Sequence, residues 1–212
     1  MNINYRLAFI VISIFQCLTY VIFNSQFEIV LNGDAKFYIG ALENLYQTGT
    51  YHYQGSFSGR MPGFLPIYIP LRLLFSQYTT LLLMIFIQLV LYSFSVIFFI
   101  SKIKNSLNWG NITTMLVMAL LGFTNYVTIW GNIFYTESLA VSCFLISLGF
   151  LSEFKESPNN IKLLLSGTFF GWVLILRPYM LVLYLIILIY LLYNSKGLKG
   201  RLLMIYILPF LL

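Results

Sequence analysis

The sequence predicts an all-α fold, a polytopic membrane bundle of about six to seven helical spans. A long first outer loop carries interfacial, juxtamembrane helices. Three observations lead there. Of 212 residues, 60% are apolar and 8% are charged, too little polar surface for a soluble domain of this size to cover itself. The apolar residues fall in runs that approach the ~20 residues a hydrocarbon core requires. Those runs show neither strict alternation nor the ten-residue period of a membrane barrel, which leaves helices. Cys17 and Cys143 sit inside apolar runs with no partner spacing, so neither a disulfide nor a metal site is read from them.

The first span runs from Leu7 to Phe23 behind Arg6. It lacks a small-x-small cleavage site and reads as a retained anchor. Asn32-Gly33-Asp34-Ala35-Lys36-Phe37-Tyr38 then opens the longest polar interruption in the chain, which continues to Gly59-Arg60-Met61-Pro62-Gly63. Within it, Phe37, Ala41, Leu42, Leu45 and Tyr46 alternate with Lys36, Glu43, Asn44 and Gln47 at helical spacing. That pattern predicts an amphipathic helix lying in the interface, closed by Gly49. Tyr51 to Gly55 reads as turn and interfacial aromatic material around His52.

Phe64 to Phe75 is apolar but only about 18 Å long as a helix. It carries Pro66 and Pro70, each costing about 3 kcal/mol in a helix interior, and Arg72. A short kinked helix buried against protein fits better than a plain span. Further spans follow at Thr79–Ile100, Asn111–Trp130, Ser138–Ser152, Ile161–Leu176 and Tyr179–Tyr193. The last run, Leu202 to Leu212, is short, so the whole chain reads as a single domain, 1–212, cut from the N-terminal part of a longer one.

The net charge of +6 comes from Lys and Arg at the ends of these runs and points to membrane topology; no nucleic-acid partner is expected. Arg6, Lys102, Lys104, Lys155, Lys162, Lys196, Lys199 and Arg201 fall on one side. Lys36, Arg60, Arg72 and Arg177 fall on the other, together with Asp34 and Glu137. The basic excess predicts a multi-pass cell-membrane protein with a cytoplasmic N-terminus and an extracytoplasmic first loop. A bias toward Ile, Asn, Phe and Tyr suggests an AT-rich bacterial genome, and with it a bacterial inner membrane is expected.

The order of these parts resembles the N-terminal half of the GT-C class of membrane glycosyltransferases. The nearest groups are the protein O-mannosyltransferase-like and lipid A aminoarabinose transferase-like enzymes. Gly33-Asp34 with Tyr38 is similar to the acid, followed four residues on by Tyr, that the class places after its first span. The helix and the Thr48-Gly49-Thr50-Tyr51 turn follow in the same order. Arg60-Met61-Pro62-Gly63-Phe64-Leu65-Pro66-Ile67-Tyr68 resembles its basic residue before a proline-containing short helix, with the double proline loosened to Pro-Gly. Glu137 in Tyr135-Thr136-Glu137-Ser138-Leu139 matches a second outer acid, and Arg177-Pro178 an outer Arg-Pro. The resemblance covers nearly the whole chain but not the class's C-terminal helices.

The resemblance implies a sugar donor on a polyprenyl phosphate and an acceptor hydroxyl on lipid, glycan or protein. Asp34 would be the general base and Glu137 the second catalytic acid. Tyr38, Arg60, Arg72 and Arg177 would bind substrate. A carboxylate at the lipid–water boundary is partly desolvated, which raises its pKa towards that of a useful base. A phosphate leaving group needs fixed cations where charge develops, and a guanidinium matches phosphate bidentately. Nothing in the pattern requires a metal, although Asp34 and Glu137 could hold a divalent cation if they meet in space. No other cofactor is implied. Plainer readings stand beside these: Asp34 as a turn former or helix cap, Glu137 as a cap of its helix, Arg60 and Arg72 as snorkelling anchors. Other function classes also stand, namely a transporter or flippase of lipid-linked saccharide and a non-catalytic member of the transferase class.

Overall fold

A computed structural model of the chain describes residues 3–23, 34–53, 56–57, 63–124, 136–194 and 206–207. The architecture is helical apart from one short hairpin. Its elements are α1 (Tyr5–Phe23), α2 (Asp34–Thr48), a hairpin of β1 (His52–Tyr53) and β2 (Ser56–Phe57), α3 (Leu65–Leu74), α4 (Gln77–Ser106), α5 (Asn111–Gly122), α6 (Thr136–Glu156), α7 (Asn160–Leu176), a 3-10 turn (Pro178–Met180) and α8 (Leu181–Asn194). In the hairpin, His52 pairs with Phe57 and Tyr53 with Ser56, antiparallel.

Three of these helices are long and apolar enough to cross a membrane: Tyr5–Ile22, Gln77–Ser106 and Thr136–Glu156. The apolar helices α3, α5, α7 and α8 are shorter. The longest, α4, is about 45 Å at 1.5 Å per residue, longer than a hydrocarbon core of about 30 Å. Its start is set by Ser76, whose hydroxyl accepts from Thr79 N at 3.3 Å. Its last turn carries Lys104, which donates to Asn111 at 2.7 Å across the turn into α5.

Helix α4 is the axis of the bundle, with α1, α5 and α6 against it and α7 against α6. Helices α1 and α5 run antiparallel to α4, α7 runs antiparallel to α6, and α4 and α6 run parallel. Near one end of α4, Lys102 pairs with Glu153 of α6, and Phe98 meets Phe150 with ring centroids 4.8 Å apart. Towards the other end, Leu81 and Met84 share a buried cluster with Leu139, Ala140 and Cys143 of α6 and Val173 and Leu176 of α7. Helices α6 and α7 are joined by Ser147 and Ser166, each hydroxyl donating to the other residue's carbonyl, at 2.8 and 2.9 Å. Such small hydroxylated pairs let helices approach closely where lipid offers no hydrophobic drive.

Two expectations need correction. Asn111–Trp130 reads as one span, but α5 stops at Gly122, halfway along its neighbours, and residues 125–130 lie outside the described residues. Two of the carbonyls freed there are satisfied by other helices of the bundle. Gln16 of α1 donates to Gly122 O at 2.7 Å and the Tyr92 hydroxyl of α4 donates to Leu121 O at 2.7 Å. Buried backbone carbonyls need such partners. The cost expected for Pro66 also vanishes: it falls in the first turn of α3, where its missing N–H would have had no helical acceptor. Only Pro70 lies in the helix interior.

The amphipathic segment forms a helix, as its spacing predicts, running from Asp34 to Thr48. Its apolar face turns to protein, however. Ala35, Ile39 and Leu42 belong to the buried cluster that holds α4, α6 and α7 together. The helix ends where Gly49, at φ +74°, enters the left-handed region and its N–H bonds to Leu45 O at 2.9 Å.

Candidate functional site

The parallel packing of α4 and α6, with α7 antiparallel to α6, gathers α2, α3, the N-termini of α4 and α6 and the C-terminus of α7 at one end of the bundle. Of the residues the sequence singles out, Tyr38, Arg72, Glu137 and Arg177 are described there. Asp34 begins α2 at this same end, but its side chain lies outside the described residues, and so does all of Arg60. The bundle's other end carries Lys102, Lys104, Glu153, Lys155 and Lys162.

Glu137 and Arg177 meet. Glu137 stands in the first turn of α6, and Arg177 follows the last turn of α7. There its N–H bonds to Val173 O at 2.7 Å, and Pro178 prevents the helix from continuing. Arg177 Nη2 forms an ion pair with Glu137 Oε1. Each partner keeps one buried atom without a hydrogen-bond partner, Glu137 Oε2 as an acceptor and Arg177 Nε as a donor. Leaving such an atom unmade costs about 1–3 kcal/mol, so this pair has unspent capacity for a polar group. Thr136 and Ser138, flanking Glu137 and almost wholly buried, also have hydroxyls without partners.

The loop from the proline motif is brought to the same place. Trp172 Nε1 of α7 donates to Gly63 O at 2.8 Å. A Cβ on Gly63 would overlap the side chain of Leu176, the residue before Arg177. Only glycine permits that approach. Phe64 follows, and its ring meets Tyr38 edge-on with centroids 6.0 Å apart. Tyr38 is thereby buried one turn along α2 from Asp34.

Arg72 is occupied elsewhere. Its Nε donates to Glu43 Oε2 at 3.0 Å and its Nη2 to Glu43 Oε1 at 2.9 Å. Tyr68 Oη adds a 2.6 Å bond to Oε2, and Gln47 Nε2 a 3.0 Å bond to Oε1. The guanidinium also donates through Nη1 to Phe75 O at 3.1 Å and lies 4.5 Å over the Tyr46 ring. Donation from Arg72, helped by Tyr68 and Gln47, holds the Glu43 carboxyl below its ordinary value against the opposing effect of burial. Sequence reasoning left Glu43 on a solvated face. The available signal was scarcity: a chain with six acidic residues gives each of them a reason to be asked for its partner.

No family model, curated protein or solved structure matches this chain.

Among the described residues, no group of three or more His, Cys, Asp or Glu side chains gathers as a metal site. The described side chains at this end are carboxylates, guanidinium groups and buried hydroxyls.

Proposed function

We propose that this chain is a membrane glycosyltransferase that moves a sugar from a polyprenyl-phosphate-linked donor to an acceptor hydroxyl on lipid, glycan or protein. In this reading Asp34 takes the acceptor proton as general base, and Glu137 is the second acid. Arg177 and Arg60 meet the phosphate, and Tyr38 and Arg72 shape the site. The observation that carries it is the Glu137–Arg177 pair. It stands at the end of the bundle where α2 begins with Asp34, and it retains a buried donor and a buried acceptor. A leaving phosphate needs a fixed cation that requires little reorganisation, and Arg177 is held by an acid and by helix-end packing.

The full topology belongs to the same proposal. Six to seven crossings result when α5, α7 and the 178–194 segment, with residues outside the described ones, complete membrane passages. The N-terminus is then cytoplasmic and the site extracytoplasmic, on a bacterial inner membrane. A lipid-linked saccharide flippase is the competing reading. The end of α5 at Gly122, with its carbonyls held by Gln16 and Tyr92 from other helices, favours it, because helix ends inside a bundle line transport sites. Against it, the middles of the described spans carry no Asp, Glu, Lys, Arg or His, the groups expected on an ion-coupled route.

The deciding experiment compares Asp34→Asn with the unchanged protein in native membranes, following radiolabel from polyprenyl-phosphate-linked sugars into acceptor. Loss of transfer by two or more orders of magnitude, with normal membrane abundance, supports a general base. Unchanged transfer removes Asp34 from the chemistry. Movement of the intact donor across the bilayer without transfer would establish the flippase.

A further inference from the structure

We infer that Glu43, Tyr68 and Arg72 form a positioning clamp that sets where the first residue of α2, Asp34, stands on the bundle. The inference rests on the reading of Asp34 as the base, and it gives Arg72 a role through Glu43 instead of through the phosphate.

Helix α2 is continuous from Asp34 to Thr48, so its two ends move together. Its contacts with the core are apolar and partly small: Ala35 and Ala41 are fully buried, with Ile39 and Leu42 beside them. Packing of that kind is non-directional, and it resists rotation or sliding less than hydrogen bonds of fixed geometry do. Directional restraint comes from the carboxylate of Glu43. Four hydrogen bonds reach it: two from the planar fork of Arg72, one from Tyr68 and one from Gln47 on the same helix. A guanidinium fork on a carboxylate fixes orientation as well as distance.

The other side of the clamp is rigid. Tyr68 is fully buried, in one cluster with Leu139 of α6 and Leu176 of α7. Arg72 is tied to Phe75 O, and only Phe75 and Ser76 separate α3 from α4. The clamp therefore fastens α2 to the axis of the bundle. Glu43 is nine residues from Asp34, about 13 Å along the helix. A turn of α2 by about 20° would sweep a side-chain tip about 6 Å from the axis through ~2 Å. Reacting groups tolerate about 0.5 Å, so a clamp remote from the chemistry would still govern its rate.

The test reads the position of residue 34 directly. Asp34→Cys is introduced alone, with Glu43→Ala, with Arg72→Ala and with both, and the rate of modification by a membrane-impermeant maleimide is followed in intact membranes. The protein with Asp34 retained gives the background from Cys17 and Cys143. Each single change should alter the rate about tenfold, and the double change should do no more than either, because both remove one interaction. In the Asp34 background, kcat for transfer from polyprenyl-phosphate-linked sugars extracted from the same membranes should fall by about tenfold with KM held. Should the alanine variants fail to accumulate, Arg72→Lys, which keeps the charge and loses the fork, should shift the labelling rate in the same direction. Unaltered labelling in the variants overturns the clamp, as do additive effects of the two changes or a raised donor KM for Arg72→Ala alone. Shifted labelling together with full transfer by Asp34→Asn would keep the clamp and remove the base, so the two readings fail separately.

Discussion

Arg72 holds Glu43 through two near-parallel hydrogen bonds, Nε to Oε2 at 3.0 Å and Nη2 to Oε1 at 2.9 Å, and so joins α2 to α3. Removing the acid strands a guanidinium and the Tyr68 hydroxyl. Glu43→Ala should lower the melting temperature of the detergent-solubilised protein by about 2–6 °C. Glu43→Gln, which still accepts from both partners, should cost less. Equal melting for all three proteins would mean the pair adds nothing to stability.

The same pair predicts a pH dependence. The Glu43 carboxyl is held below its ordinary value in the folded protein, chiefly by the Arg72 hydrogen bonds. The folded state therefore binds its proton less readily than the unfolded chain does. The resulting stabilisation is complete above the ordinary carboxylate value of 4.5 and is lost as pH falls through the lower folded value. Melting curves between pH 7 and pH 3 should show the unchanged protein converging on Glu43→Gln only at the acid end. A gap between them that persists unchanged to pH 3 would contradict this assignment.

Gly63 presses on Leu176 with no room for a Cβ. Gly63→Ala should destabilise by about 1–3 kcal/mol through overpacking, and it should also weaken the Trp172 bond to Gly63 O. Adding Leu176→Ala opens space for the new methyl. Thermal unfolding of the single and double variants should then show coupling, with the double less damaged than the sum of its parts. Simple additivity would place the strain elsewhere.

The end of α5 offers a third kind of test. Tyr92→Phe deletes the donor to Leu121 O and nothing else, and Gln16→Leu deletes the donor to Gly122 O. Each leaves a buried carbonyl unpaired and should cost about 1–3 kcal/mol. Hydrogen exchange should quicken at the last turn of α5 in both variants while α6 stays protected. Exchange that quickens everywhere would point to global loosening instead.

Much of this architecture could be read from residue order. The runs that became α1, α4 and α6 declare themselves by length and by Lys or Arg near their ends, because water–lipid partition acts on each run separately. Helix α2 was legible from its spacing, but the side it would bury was not. An apolar face looks the same whether lipid or protein covers it, and the contacts of Ala35 and Leu42 with α6 and α7 are long-range. The stop at Gly122 was hidden for a similar reason, since its sponsors Gln16 and Tyr92 lie on other helices. At the candidate site, Glu137 and Arg177 were named separately from the turns that carry them. Their pairing depends on α6 and α7 being antiparallel neighbours. The tie between Glu43 and Arg72 crosses 29 residues and the β1–β2 hairpin, and no local pattern announces it.

The half-length α5 also bears on how the chain enters the membrane. A helix that ends among other helices leaves buried carbonyls that need partners from the rest of the chain. Gln16 and Tyr92 sit on α1 and α4, both synthesised before α5. The partners of its last two carbonyls are thus already made when it arrives. A chain with α5 moved ahead of α4 would expose those groups during biogenesis, so the order of the segments acts as an assembly instruction.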